Sequence, residues 1–296
     1  MSREALLTFK ASFRSRLGIA IQWILPFAIL LRVYYPTLVW MVDRWMARDS
    51  YYGHGFLVPF VSLYWLFKKK GALAAAEKKN DAWGLLLLSS GVLIQAVSSV
   101  LRIYFLSAFS MVWILLGSVQ FLWGRRVLAL SWFPLSFLFL MIPLPLLIIS
   151  EITLKMKFFV SEVSAWCLSA IGIQAVREGS FLHMPHAVLL VGDPCSGLRS
   201  FLAFLILGLI FAYDSAFPLW KRTVLLLAGF PLALLSNTAR IFFLGLVAEI
   251  YGMKWVHGWL HDASGIAAFL FALALCIGLR KELNEISFVR ETRLWR

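Results

Sequence analysis

Charge is what this chain is short of. Only 15% of its 296 residues are charged, and Asp and Glu number 15 against 28 Lys and Arg. A soluble domain has about a quarter of its residues ionised, so so little charge excludes that class. Cysteine is scarce too. Cys167, Cys195 and Cys276 form no CxxC pair and no zinc spacing, which argues against a disulfide framework or a structural metal site. No Gly/Ser-rich linker and no internal repeat divides the chain, so one domain over residues 1–296 is expected. No A-x-A-like cleavage site follows the first apolar run, so a cleaved leader is not expected.

Apolar residues take the place of charge. They make up 61% of the chain, and they fall in runs of the length that a bilayer requires. A formal charge of +13 would suggest nucleic acid in a soluble protein. Here the basic residues bunch at the ends of apolar runs, the pattern of the positive-inside rule, so the expected surroundings are a lipid bilayer and not nucleic acid.

Read in order, a basic lead-in (Arg3, Lys10, Arg14, Arg16) precedes a first span at about 17–42, interrupted by Pro26 and Arg32. Further spans are expected at about 56–67, 83–101, 104–123, 127–149, 198–213, 224–250 and 263–279. Pro134, Pro143 and Pro145 should kink the fifth. The fold expected is therefore all-α, a polytopic membrane protein of about eight transmembrane helices. Residues 150–194 form the one long stretch outside the spans. Its first part, 151–171, reads as an amphipathic interfacial helix, and its second, 173–191, as a small hairpin leading into Cys195. Four basic residues at the N-terminus, five at 68–79, two at 125–126, two at 221–222 and five at 280–296 fall on one side. That is eighteen of the 28. Both termini are then cytoplasmic, in a cytoplasmic (inner) membrane, and 150–195 faces outward.

Three positions invite chemistry. Cys195 lies in GDPCSGLRS (Gly192–Ser200), just before the apolar run from Leu198. Unpaired N–H groups and the positive dipole end at a helix mouth favour a thiolate. The same residue read blandly is a small buried apolar group. Arg240 lies within a span, in SNTARIFF, and an arginine there normally faces a polar cavity or a partner. Ser236 and Asn237 share its helix face. By helical rise Arg240 sits roughly 15 Å below the outer end of a span that runs to Ile250. A site shared with Cys195 is then sunken, or the span ends earlier. His261 and His257 lie in HGWLHDASG. Their spacing could suit a metal, but no third ligand is near, so neither a metal nor a cofactor is expected. His54, in YYGHG, stands at the mouth of the second span.

Taken together these stretches resemble the exosortase/archaeosortase family. The resemblance rests on CSGLRS (Cys195–Ser200), the N-x-x-R of Asn237–Arg240 and the H-x-x-x-G of His261–Gly265. YYGHGFLVP (Tyr51–Pro59) and REGSFL (Arg177–Leu182) are similar to that family's entry to its second span and its pre-cysteine strands. Asp193-Pro194 departs from the expected Glu-Ala and leaves the subfamily open. The resemblance implies a membrane cysteine peptidase or transpeptidase that cleaves the C-terminal sorting signals of exported proteins. Such a signal has a Pro-Glu-Pro-like motif, an apolar helix and a basic tail. Cys195 would form a thioester, His261 would act as acid and base, and Arg240 would stabilise the oxyanion or position the substrate, with the N–H groups of Ser196 or Gly197 assisting. Arg199, Asn237 and His54 would support the site. The acceptor, a lipid or a surface polymer, is left open. From the residues alone, a polytopic transporter or a membrane thiol oxidoreductase paired through Cys167 also stands.

Overall fold

The computed structural model describes residues 28–47, 50–256 and 258–294, the side chains of residues 194 and 286–294 excepted. The basic lead-in, Pro26, His257 and Arg296 lie outside what is described. Two compact units emerge: Met1–Ala47 with His54–Pro143, and Arg48–Gly53 with Leu144–Arg296.

The first unit is helical. Residues 28–46 form α1, followed by α2 (Leu57–Lys68) and the short α3 (Lys70–Ala75). Asp81 caps α4 (Ala82–Leu101), its carboxylate accepting from the Trp83 N–H at 3.0 Å. Arg102, in the left-handed region at φ 55°, ends that helix, and α5 (Tyr104–Phe137) starts two residues later. Glycines let the two backbones meet. A Cβ on Gly84 would strike the Phe121 backbone, one on Gly91 the Ile114 side chain, and one on Gly117 the Leu88 backbone. Those pairs run in antiparallel order, and this close approach of small residues is how helices associate where lipid removes the hydrophobic driving force.

Gly124 breaks α5 at φ 85° and ψ 175°, where a Cβ would meet the Lys79 carbonyl. Phe109 and Phe139, fifteen residues to either side, pack their rings 4.8 Å apart. The run Tyr104–Met141 therefore doubles back at the Arg125-Arg126 end as two antiparallel arms.

In the second unit, α6 (Leu146–Ala170) starts after the prolines at 143 and 145. This corrects the fifth span, expected to reach 149: backbone at Ile142 and Pro145 is extended, so residues 146–149 belong to the next helix. The same helix takes in the expected interfacial segment. It buries Ile149, Thr153, Met156, Val160, Ser164 and Leu168, a three-to-four-residue stripe.

The expected hairpin is a three-stranded antiparallel sheet: β1 (Val176–Glu178), β2 (Phe181–His183) and β3 (Val188–Leu190), in that order. Pro185 lies between β2 and β3. It sits in a turn closed by the Met184 N–H donating to the Ala187 carbonyl at 2.9 Å, a place where its fixed φ helps. Leu182 and Leu189 pair across β2 and β3 and face inward with Ala175, Ala187 and Val191. Ile241, Leu244 and Ala248 complete that core. They belong to α8 (Leu219–Tyr251), which follows α7 (Leu198–Asp214) and precedes α9 (Trp259–Leu294).

Four described helical segments are long and apolar enough to cross a membrane: Ala82–Leu101, Tyr104–Met141, Leu219–Tyr251 and Trp259–Glu285. The protein is a multi-pass, mainly helical membrane protein. Eight spans exceed that count, although the segment folded at Gly124 supplies two arms. The 17 residues of α7 and the 12 of α2 are the shorter apolar helices among the expected spans.

Candidate active site

Cys195 closes a short 3-10 turn, Asp193–Cys195, that links β3 to α7. Its own N–H donates to the Gly192 carbonyl at 3.0 Å, and the Ser196 N–H donates to the Asp193 carbonyl at 3.1 Å. Gly197 then takes a left-handed φ of 84°. The glycine is required twice over, because a Cβ there would lie 3.1 Å from Asn237 Cβ on α8. The Ser196 hydroxyl accepts from the Leu198 N–H at 3.3 Å and so satisfies one open donor of α7.

Two other helices hold the turn. From α8, the Asn237 amide donates to the Cys195 carbonyl at 2.5 Å. From α6, Lys157 pairs with the Asp193 carboxylate at 2.7 Å, the lysine largely covered and the aspartate exposed.

The chemistry converges from α9. His261, in its first turn, brings Nε2 to 3.0 Å from the Cys195 sulfur. Arg240, in the middle of α8, donates from Nη2 to the His261 carbonyl at 2.9 Å and lies 3.3 Å from Nε2 and 3.5 Å from Nδ1. Asp262 Oδ1 stands 3.4 Å from Nδ1. A proton on Nδ1, facing that carboxylate, leaves Nε2 free to accept from the thiol. Ser264 accepts from Arg240 Nε at 3.2 Å and donates to the His261 carbonyl at 2.8 Å.

Burial pushes the Cys195 thiol above the ordinary cysteine range, and the Arg240 guanidinium pulls it only partly back. This corrects the expectation of a thiolate favoured by the helix mouth. Cys195 is 5% exposed, and the N–H groups of Cys195 and Ser196 are spent inside their own turn. The thiol therefore needs a base, and His261 is in contact with it.

Of the sequence-predicted residues, the structure brings Cys195, Arg240, His261, Asn237, Ser196 and Gly197 together. The Ser196 N–H is already committed and is not an open oxyanion donor. Arg199 is exposed in the first turn of α7 and makes no hydrogen bond or ion pair among the described residues. His54 belongs to the first unit, in the turn Gly53–Phe56. Burial pushes its imidazole pKa down there, against a hydrogen bond to the Leu140 backbone. Among the described residues no cluster of His, Cys, Asp and Glu could hold a metal ion.

The sequence reading missed Lys157, Asp262 and Ser264. Ser264 carried a signal: with Gly265 it sits three and four residues after His261, on the same helical face. Lys157 lies 36 residues from Asp193, and no local pattern joins them.

Arg240 is level with the first turns of α7 and α9, although eleven residues of α8 follow it. Beyond Arg240, α8 packs one face, Ile241, Leu244 and Ala248, against α6 and the sheet.

A family model described as transmembrane exosortase matches residues 45–278, most of the chain. Neither the curated proteins nor the solved structures returned a match.

Proposed function

The chain belongs to the transmembrane exosortase family, and on that premise we propose that it is a cysteine transpeptidase cutting C-terminal sorting signals of exported proteins. The observation that carries this reading is the 3.0 Å contact of Cys195 Sγ with His261 Nε2, with Arg240 on the same imidazole. His261 takes the thiol proton as the sulfur attacks the scissile carbonyl, and the imidazolium returns it to the departing amine. A thioester on Cys195 remains. An acceptor nucleophile, or water, then attacks it and regenerates the thiol. Arg240 meets the oxyanion in both steps, with a cation that keeps its proton.

Depth supports a substrate held at the membrane surface. From Leu219 to Arg240, α8 rises about 32 Å, close to the roughly 30 Å of a hydrocarbon core. The site then lies at one membrane face. The basic turn at Lys221 and Arg222 lies at the other, which by charge is the cytoplasmic one. Scission on the outer face of a cytoplasmic membrane, with both termini inside and about eight spans, follows from that orientation. A signal made of a Pro-Glu-Pro-like motif, an apolar helix and a basic tail would place its motif beside Cys195 and its tail across the bilayer. The acceptor would be a lipid or a surface polymer. Cys195 contacts a histidine and not a second thiol, so the hydrolytic reading is favoured over a thiol oxidoreductase.

The test is a reporter with such a C-terminus, expressed with Cys195→Ala or Cys167→Ala. Cys195→Ala should abolish processing and the hydroxylamine-sensitive enzyme–reporter adduct, and Cys167→Ala should retain both. Normal processing by Cys195→Ala would refute the proposal.

A further inference from the structure

Arg240 offers five N–H donors in a rigid plane, and the structure accounts for them unevenly. Nε is taken by the Ser264 hydroxyl at 3.2 Å, and Nη2 by the His261 carbonyl at 2.9 Å. Nη1 makes no hydrogen bond among the described residues. Ser264 is 9% exposed, and its hydroxyl is engaged on both sides, since its own proton goes to the His261 carbonyl at 2.8 Å. The neighbouring Gly265 leaves room for the cation. A Cβ there would stand 3.2 Å from Arg240 Cζ and 3.3 Å from Nη2, tighter than ordinary contact.

We infer that Ser264 is a positioning residue for Arg240, holding the guanidinium by Nε so that the Nη1 pair of N–H groups is the one offered to the substrate oxyanion. This rests on the thioester reading above and adds to it which atom does the work and what aims it. A guanidinium on a long side chain has many rotamers, and two fixed nitrogens leave its plane little freedom. The first two turns of α9 thereby set both partners of the nucleophile: His261 directly, and Arg240 through Ser264 and the bare backbone of Gly265. Ser264 touches no reacting atom itself.

The experiment uses the full-length enzyme in detergent and the sorting-signal reporter. Enzyme is counted by alkylation of Cys195, in the wild type, Ser264→Ala, Ser264→Thr and Gly265→Ala. Misaiming a reacting group by about 1 Å can cost on the order of 100-fold. Ser264→Ala should therefore lower kcat per counted enzyme by roughly 10- to 100-fold with KM nearly unchanged. Ser264→Thr, which keeps the hydroxyl, should restore most of the turnover. Gly265→Ala should fail like Ser264→Ala. Normal kcat in Ser264→Ala would overturn the inference, as would Ser264→Thr being as poor as Ser264→Ala, or a defect confined to KM. A Cys195→Ala arm separates the two levels. If it processes normally, the thioester reading falls and this inference with it; if it is dead while Ser264→Ala is normal, only the role of Ser264 falls.

Discussion

Both units bury polar side chains among apolar helices, and they do so with different chemistry. In the first unit Gln95 Oε1 accepts from Ser107 at 2.7 Å, Ser110 at 3.0 Å and Ser98 at 3.3 Å. Tyr34 joins at Ser110 and Thr37 at Ser107. Every member of that network is neutral, and Ser98 and Ser110 also reach backbone carbonyls, of Gln95 at 2.9 Å and Ser107 at 2.7 Å. The second unit sets a thiol 3.0 Å and a guanidinium 3.3 Å from the same imidazole, with donors on the guanidinium left over. Polar burial alone therefore does not mark a site in a membrane protein. What distinguishes the second cluster is a titratable nucleophile beside its base, with hydrogen-bonding capacity the protein has not used.

Breaking the second cluster should have the larger effect. Arg240→Lys keeps a charge but loses the planar fork, so processing should drop by about 100-fold or more, the scale of one oxyanion donor. Membrane immunoblots should show near-normal protein. Loss of the protein itself would mean that Arg240 only locks helices together. His261→Ala should match it.

The middle-sized effect concerns pH. Because burial holds the Cys195 thiol above the ordinary cysteine range, less of it is thiolate at neutral pH, and alkylation should climb through a midpoint above that of a free cysteine. Removing the opposing cation with Arg240→Gln should raise the midpoint further, slowing labelling at fixed pH. A midpoint below about 8.5, the free thiol value, would reinstate the helix-mouth thiolate.

The smallest effect belongs to the first cluster. Gln95→Leu removes the acceptor of the buried Ser107 hydroxyl, while Ser98 and Ser110 keep backbone carbonyls, a cost of about 1–3 kcal/mol. Thermal stability should fall while turnover per counted Cys195 stays unchanged. A turnover loss as large as that of Arg240→Lys would erase the contrast between the units.

Local pattern was enough for much of this. The apolar runs and basic turns are one-dimensional signals, and they located the membrane character, the tight turn at Arg102 and the reversal near Arg125-Arg126. The three ordered motifs named Cys195, Arg240 and His261. Where prolines cluster the reading failed, because Pro143 and Pro145 end one helix and open another where a single kinked span was expected.

By itself the sequence determined which residues are costly to bury and therefore need partners: a thiol, a guanidinium and an imidazole set among apolar residues. Tertiary structure alone decided who those partners are. Cys195 and His261 lie 66 residues apart, and Arg240 and Ser264 24 apart, so their distances depend on how three helices pack. The state of the thiol was decided there too. A helix mouth predicts a lowered pKa, but burial and already-committed N–H groups reverse it, and both arise only when the chain closes over the turn.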